Sequence, residues 1–405
     1  MRAPGPLVLA AGIFAVFAAV AASGCGGSKG SGGAKAGPDG GSEAGLEAGA
    51  DAPSVADAAP DAASDAATDA GPSCVPDGDT FEAGATPVPT PSSIQFAAKA
   101  ALPSGEQILF NDWNPEPNTV NSLTPDGVTK TEVFDVYRAW DMGVSHDGKS
   151  VAFSCGDPDQ QADFGLQIGD SIQQTWIYDA ASQSIRLVAH GNINDECHTF
   201  GPGDTTLWVC RRYDFAETGD GGDLTGTNKG YRIGRIDLAT TDFTFLTADE
   251  SATATYALYP QPTPDGQGFY YSTTQDVSAT QTKSTVLLMP LCGGAPSDVR
   301  DQAHEPVLSP DGTRYVYASD AEAGALHAST LDAANDVKLT SEAGTNAVWS
   351  PDGTKVAYLV FDGAAGCDHI DVVASDGSTA GSPTRLRDCS KTNEFITQLA
   401  WFVAP

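Results

Sequence analysis

Residues 308–318 read Leu-Ser-Pro-Asp-Gly-Thr-Arg-Tyr-Val-Tyr-Ala, and residues 349–358 repeat the pattern as Trp-Ser-Pro-Asp-Gly-Thr-Lys-Val-Ala-Tyr. Proline presets one dihedral of a tight turn, aspartate can bond the backbone beyond it, and glycine takes a position with positive φ. The alternating apolar residues that follow are typical of a half-buried strand. Each copy therefore predicts a β-hairpin closed by a tight turn.

Looser copies of this turn recur upstream, at residues 102–105, 145–148, 201–204 and 263–266. An apolar strand follows each copy, and no amphipathic helical pattern interrupts them. Recurrence at intervals of roughly 40 to 60 residues is the signature of a repeat architecture. Because each unit also offers two further strand segments, we predict an all-β protein built from meanders of four antiparallel strands, A to D.

These residues resemble the TolB-like, WD-type β-propeller repeats, whose blades carry Trp-Ser-Pro-Asp-Gly, an apolar strand, an Asp-Gly turn and an Arg-Leu-Thr strand. The resemblance implies a β-propeller over residues 93–405, and it is strongest at 309–319 and 349–360. The repeat count predicts six four-stranded antiparallel blades, with seven as the alternative. Residues 396–402 align with an A strand that no B strand follows, so we expect them to close the first blade and remove an open sheet edge.

The N-terminus has the features of an exported protein. A short positive start precedes an apolar, alanine-rich run over residues 7–22, which is too short for a confident membrane span and indicates a signal peptide over 1–24. Ala-Ser-Gly-Cys at 22–25 resembles the bacterial lipobox and implies lipidation of Cys25; an ordinary secretory signal is the alternative. By the same resemblance, Gly26 favours the outer membrane, at its periplasmic face or at the cell surface.

A low-complexity segment follows the signal peptide. Between residues 37 and 92 the chain holds eleven acidic residues and no Lys or Arg, and large apolar residues are almost absent. Such a composition cannot bury enough surface to offset the entropy of ordering. We therefore predict that residues 25–92 form a lipidated cysteine and a disordered tether.

The charge of the whole chain restricts its partners. The formal net charge is −32 and the pI is about 4.2. Nucleic acid binding needs Lys and Arg for the phosphates, and an anionic membrane surface repels such a protein. We expect a monomer that binds a protein or peptide in the cell envelope and reaches the membrane through its lipid anchor only.

Two cysteine pairs are placed symmetrically about turns. Cys367 and Cys389 are equidistant from Ser378, near the predicted tip of a C–D hairpin, so antiparallel pairing brings them to disulfide distance. Cys197 and Cys210 flank the turn at 201–204 in the same way. An oxidising compartment permits both disulfides.

The remaining cysteines leave alternatives open. Cys155 competes with Cys210 for Cys197, and we expect the leftover thiol to be Cys74 in the tether. No Cys-x-x-Cys pair supports a zinc site.

Polar residues gather where innermost strands are predicted to begin. In a propeller these strands start at one mouth of the central channel, so their side chains form a candidate binding site; the alternative is that they only solvate the channel. The candidates at these starts are Asp141, Asp195, Glu196, His198, His304, Glu305 and Asn346. Arg211 and Arg212, which end the adjacent B strand of the third blade, are added as partners for the acids.

Catalytic signatures are absent from the sequence. The acidic insertion at 213–230 has oxygen ligands but lacks the ordered spacing of a calcium loop, which favours a mobile acidic loop. We predict no catalytic residue, cofactor or metal, and a non-catalytic scaffold that binds a protein or peptide. The alternative is a propeller enzyme or carbohydrate binder, lactonase- or lyase-like, that uses the channel with calcium.

Overall fold

The computed structural model describes residues 90, 94–112, 117–156, 173–191, 193–213, 231–248, 255–278, 281–389 and 395–405. The predicted signal peptide, the lipidation site Cys25, nearly all of the tether and the insertion at 214–230 lie outside the described residues. Within the described part of the chain, no helix is long and apolar enough to cross a membrane.

Strands make up almost all of the regular structure, as the sequence predicted. Two single 3-10 turns, Pro202–Asp204 and Asp320–Glu322, accompany them in the described residues. The strands are β1 Ala97–Ala98, β2 Gly105–Asp112, β3 Asn118–Leu123, β4 Lys130–Val136, β5 Ala139–Val144, β6 Ser150–Gly156, β7 Gln173–Asp179, β8 Ser184–Ala189, β9 Ile193–Phe200, β10 Thr206–Tyr213, β11 Arg232–Asp237, β12 Phe243–Phe245, β13 Thr255–Pro262, β14 Gly268–Ser278, β15 Gln281–Pro290, β16 Ser297–Asp301, β17 Ala303–Leu308, β18 Arg314–Ser319, β19 Ala325–Thr330, β20 Asp336–Ala343, β21 Thr345–Trp349, β22 Lys355–Asp362, β23 Cys367–Ala374, β24 Thr384–Arg387 and β25 Ile396–Ala404.

The strands pair as four-stranded antiparallel meanders. We name them unit 2 (β5 to β8), unit 3 (β9 to β12), unit 4 (β13 to β16), unit 5 (β17 to β20) and unit 6 (β21 to β24). One parallel bridge, between Gln173 and Asn194, joins units 2 and 3 into an eight-stranded sheet. The all-β class and the four-stranded antiparallel sheets are confirmed, while the number of blades stays a prediction.

Unit 1 combines the two ends of the described chain. Its sheet has the order β1-β4-β3-β2-β25, and β25 pairs with β2 from Gly105 opposite Ala404 to Asp112 opposite Ile396. The Asn111 amide supports this closure, because Asn111 Oδ1 accepts from Thr397 N at 3.1 Å and Nδ2 donates to Ala139 O at 2.9 Å. The C-terminal strand thus closes the first unit, as its alignment predicted.

The turn that joins β17 to β18 shows why the repeated motif forms hairpins. Ser309 N donates to Arg314 O at 2.9 Å, and Gly312 has a φ of 65°. Asp311 Oδ1 accepts from Ser309 Oγ at 2.6 Å and from Thr313 N at 3.1 Å. The aspartate therefore bonds the backbone beyond the turn, as the local sequence predicts.

Hydrophobic side chains pack between neighbouring units. Phe134 of β4 stacks on Tyr178 of β7 at 4.6 Å between ring centroids, which joins units 1 and 2. Trp208 of β10 contacts Phe269 of β14 at 5.0 Å and joins units 3 and 4. The first strands of the units also contact one another in a closed ring, from β5 through β9, β13, β17, β21 and β25 back to β5, so they lie innermost, around the predicted central channel.

Candidate functional site

Each innermost strand carries a β-bulge. In β5, β9, β13, β17 and β21 the ladder to the next strand loses register, and the bulged residue adopts a positive φ four residues before the following turn. Gln398 holds the corresponding place in β25, where the ladder to β2 also shifts. Together these six residues form what we call the channel ring: Asp141, Cys197, Tyr259, Glu305, Asn346 and Gln398.

Hydrogen bonds connect one half of the channel ring from unit to unit. Asp141 Oδ2 accepts from Cys197 N at 3.1 Å. Cys197 is bonded to Cys210, whose Sγ accepts from Tyr259 N at 3.2 Å. These contacts run from unit 2 through unit 3 to unit 4.

The other half of the ring returns to Asp141. Glu305 Oε2 accepts from Asn346 N at 3.1 Å. Gln398, in the amide orientation that satisfies its hydrogen bonds, donates to Asn346 Oδ1 at 2.6 Å and to Asp141 Oδ1 at 3.3 Å. The ring therefore holds its side chains in fixed positions around the channel.

Glu196 adds a further carboxylate beside the ring. Its Oε1 accepts from the Tyr231 hydroxyl at 2.6 Å and from Asn194 Nδ2 at 3.2 Å. The residue lies opposite Cys210 in the β9–β10 ladder, on the same face as Trp208, so it faces unit 4. It is only 8% exposed.

The electrostatics of this region disfavour negative charge. Burial, followed by the charges of Glu196 and Glu305, raises the pKa of Asp141 well above its usual range. Burial also raises the pKa of Glu196, although hydrogen bonds from Tyr231 and Asn194 oppose it. The same burial raises the pKa of the Tyr231 hydroxyl. Burial therefore favours the neutral forms of these three groups, while the charge of Arg212 opposes the rise in pKa for Glu196 and Tyr231.

Four of the nine candidate residues meet at the channel: Asp141, Glu196, Glu305 and Asn346. Arg212 lies near enough for its charge to lower the pKa of Glu196. Their role in binding remains a prediction, since position alone does not demonstrate a ligand.

Three candidates lie between units 2 and 3 instead. Asp195 accepts from Arg211 Nε at 2.6 Å and Nη2 at 2.7 Å, and the two side chains are 0% and 2% exposed. His198 Nδ1 is 3.1 Å from Asp141 O, and burial lowers the pKa of His198 to about 4. The reason is strand alternation, which turns Asp195 away from the face that Glu196 occupies.

His304 also has a partner away from the channel ring. Its Nδ1 is 2.8 Å from Asp320 Oδ1, in the 3-10 turn of unit 5. Burial opposes its charge, but the hydrogen bond with Asp320 and the charge of Glu305 prevail and raise the pKa of His304. The side chain of His304 is therefore held by the 3-10 turn of unit 5 and not by the channel ring.

Sequence reasoning missed four residues of the site. Counting four residues back from Thr263 finds Tyr259, and aligning β25 with β21 finds Gln398. Strand alternation on β9 places Asn194 on the face of Glu196, two residues away, and could have found it. No sequence signal identifies Tyr231, because its contact with Glu196 depends on how the strands of unit 3 pair.

The cysteines agree with an extracytoplasmic protein. Cys197–Cys210 and Cys367–Cys389 are disulfides with Cα separations of 5.4 and 5.8 Å, and Cys292 is also disulfide-bonded. Cys155 does not compete for Cys197: it is a buried thiol that donates to Tyr137 O at 3.0 Å. Cys74 lies outside the described residues. Disulfides are typical of exported proteins.

Metal ligation was the other possibility for the acidic residues. Within the ranges that the structure describes, no group of three or more His, Cys, Asp or Glu residues is placed to hold a metal ion. The acidic insertion at 214–230, which was compared with a calcium loop, lies outside the described residues.

Comparison with known proteins supports the fold. No protein-family model matches the chain, and no curated protein matches it. TolB from Acinetobacter baumannii is similar in structure, with a TM-score of 0.51 and 16% identity, over 73% of this chain and 66% of that chain, just under two thirds. Hydrazine synthase from Kuenenia stuttgartiensis has a TM-score of 0.52 and 12% identity, over 75% of this chain and 47% of that one. The likeness shows a TolB-like β-propeller fold.

A second enzyme is among the similar structures. Oligogalacturonate lyase from Vibrio parahaemolyticus has a TM-score of 0.43 and 13% identity, over 78% of this chain and 76% of that one. Likeness at this level does not bear on catalysis in this chain, because one fold hosts many activities.

Proposed function

We propose that this protein is a non-catalytic lipoprotein of the bacterial cell envelope whose propeller binds a protein or peptide at the mouth of its channel. The signal peptide directs export, lipidated Cys25 anchors the protein to the outer membrane, and the tether over 25–92 holds the propeller away from the lipid. The disulfides support a location outside the cytoplasm.

The channel ring is the observation on which the binding proposal rests. Equivalent bulges in six strands present six different side chains, which makes an asymmetric surface from a repeated backbone. Four of those side chains, on Asp141, Glu305, Asn346 and Gln398, are held by hydrogen bonds between units. A preorganised polar surface loses little entropy on binding and can select one partner.

Crosslinking in intact cells tests the proposal. Wild-type protein is crosslinked in its own envelope and co-purifying proteins are identified by mass spectrometry. Gln398→Trp fills the channel and should abolish capture of a specific partner. Val128→Trp is the matched control, because Val128 is 79% exposed on a surface turn and distant from the ring in the fold. Equal capture by both variants would refute a channel-mouth function.

Lipidation is tested separately. Cells fed an alkyne-bearing fatty acid should label wild-type protein but not Cys25→Ser, in which the acyl acceptor is lost. Unchanged labelling of the variant would contradict the anchor.

A further inference from the structure

The disulfide between Cys197 and Cys210 lies at the channel ring. Cys197 is a ring residue and keeps part of its surface exposed, whereas Cys210 on the neighbouring strand is 0% exposed. Thiol–disulfide exchange begins when a thiolate contacts one of the two sulfurs. A thiol that enters the channel can therefore attack this disulfide only at Cys197.

The surroundings of Cys210 suit it to leave as a thiolate. Its Sγ already accepts from Tyr259 N at 3.2 Å, and a hydrogen bond to a charged group stabilises the charge. Arg212 lies two residues further along β10 on the same face, and its charge acts on Glu196, which lies opposite Cys210. Burial raises the pKa of Asp141 and Glu196, which lessens the negative charge that a departing thiolate meets. A thiol in such a setting has a lowered pKa and leaves faster.

Opening this disulfide leaves β9 and β10 paired. Their ladder continues on both sides of it, from Leu207 opposite Phe200 to Tyr213 opposite Ile193. The two cysteines therefore stay close to each other, and the bond between them can form again. Exchange here changes the channel ring without parting the sheet.

The disulfide between Cys367 and Cys389 provides a comparison within the same chain. Cys389 is partly exposed and Cys367 is 1% exposed, so an outside thiol again reaches one sulfur of the pair. Among the described residues, however, no hydrogen bond reaches Cys367 Sγ, and the acid Asp362 lies opposite it in the β22–β23 ladder. Cys367 is therefore the poorer leaving group.

We infer that the Cys197–Cys210 disulfide is a thiol-exchange site, which takes a thiol arriving through the channel as a mixed disulfide on Cys197. The thiolate sulfur bonds to Cys197 Sγ while the bond between Cys197 and Cys210 breaks. The electron pair of that bond leaves with Cys210, and the Cys210 thiolate then takes a proton from water. One disulfide replaces another, so no further oxidant or reductant is consumed. The site goes beyond the proposed function, and partner capture and thiol exchange are read separately.

Thiol treatment of the unreduced protein tests the site. The purified full chain is incubated with the capped peptide Gly-Ser-Cys-Ser-Gly or with reduced glutathione, quenched with N-ethylmaleimide and mapped by mass spectrometry. We expect the thiol on Cys197 and the maleimide on Cys210, formed at least about tenfold faster than an adduct on Cys389. The exposed Cys292 is mapped separately and does not enter the comparison. An adduct on Cys210 instead of Cys197, or equal rates at Cys197 and Cys389, overturns the proposal.

The two probes distinguish the source of the thiol. Because the chain has a formal net charge of −32, the uncharged peptide should react faster than the anionic glutathione, which would assign the site to a cysteine of a protein or peptide. Faster reaction with glutathione assigns the site to a small thiol. Failure of both probes to modify Cys197 overturns the proposal.

Matched variants test the route and the leaving group. Gln398→Trp fills the channel and should slow the adduct on Cys197 by about tenfold or more, whereas Val128→Trp should not slow it. Arg212→Gln should slow it by about threefold. Arg186→Gln, which removes the same charge from an exposed position on β8, should leave the rate unchanged. A wild-type rate in folded Gln398→Trp or Arg212→Gln protein overturns the proposal.

Cys155 reports whether each variant is folded. Its thiol is buried and donates to Tyr137 O at 3.0 Å, so N-ethylmaleimide should not modify it in the native protein. Rates are compared only among proteins in which Cys155 stays unmodified. If Gln398→Trp fails this check, the smaller Gln398→Phe takes its place.

Discussion

Asp195 and Glu196 are neighbours on β9, yet their carboxylates meet opposite conditions. Asp195 lies directly opposite Arg211 in the β9–β10 ladder and accepts two hydrogen bonds from it, and a third from Thr175 Oγ1 at 2.7 Å. Glu196 faces the other way, toward unit 4, where a phenol and an amide donate to it and the charge of Arg212 acts on it from the neighbouring strand. The charge of Asp195 is fully paired, whereas burial raises the pKa of Glu196 and so disfavours its charge.

The same contrast explains why residue type alone is a poor guide to the site. An acid at the start of an innermost strand is equally plausible as a ligand or as a structural ion pair. The difference lies in which neighbouring unit the side chain faces. For Asp195 that neighbour supplies Thr175, and the cross-strand partner supplies a guanidinium that stacks on Phe243 at 3.6 Å.

The largest effect is expected from breaking the structural pair. Asp195→Ala leaves Arg211 buried without its carboxylate and should lower the free energy of unfolding by about 3–5 kcal/mol. Urea unfolding monitored by fluorescence measures it. Asp195→Leu combined with Arg211→Met removes both charges and should recover much of the lost stability. An Asp195→Ala protein as stable as wild type would contradict a structural role for the Asp195–Arg211 pair.

Removing a disulfide should have the next largest effect and separates stability from binding. Replacing Cys367 and Cys389 by serine opens a loop with a sequence separation of 22 and should cost about 3 kcal/mol in the chain-entropy model. Replacing Cys197 and Cys210 should cost a similar amount, and it should also weaken partner binding because Cys197 belongs to the channel ring. Thermal unfolding and partner crosslinking are compared for both double variants. Equal loss of binding in the two would contradict a local role of the ring.

A turn glycine tests contact between units without any charge. Gly312→Val should lower stability by about 1–3 kcal/mol, because φ is +65° and a Cβ there would lie 2.4 Å from Pro264 Cγ in the adjacent turn. Gly266→Val is the control, since Gly266 has the same φ of +65° and nothing within 4 Å of its Cβ. The difference between their urea midpoints measures the effect of the steric contact with Pro264, since the backbone strain is the same in both variants. Identical midpoints would assign the whole effect to the backbone.

The smallest effect should come from Glu196 itself and depends on pH. The pKa of Glu196 in the folded protein is raised above its ordinary value of 4.5, so its stabilising contribution is complete below 4.5 and is lost as pH rises through the folded value. Glu196→Gln should therefore gain stability relative to wild type as pH rises, in contrast to the loss from Asp195→Ala. Unfolding at a series of pH values measures the difference, with Glu342→Gln as control. A difference that shrinks with rising pH would contradict burial as the cause.

Much of the fold could be predicted because its determinants are local. The turn at residues 309–312 forms through Ser309, Asp311 and Gly312, which lie next to one another in the chain. The C-terminal closure followed from aligning 396–402 with another innermost strand. Position in the repeat pointed to Asp141, Glu305 and Asn346, which the structure brings together in the channel ring, and their role in binding stays a prediction. Position alone could not separate Asp195 from Glu196.

The sequence by itself determined the hairpins, their repetition, the symmetric cysteine pairs and the strand that closes the first unit. These features depend on neighbouring residues or on spacing that recurs along the chain. Only the tertiary structure decided which carboxylates are neutralised. Arg211 reaches Asp195 across the β9–β10 ladder, and Tyr231, just before β11, reaches Glu196. Only the packing of units 2 and 4 on either side of unit 3 gives the two neighbouring acids different surroundings.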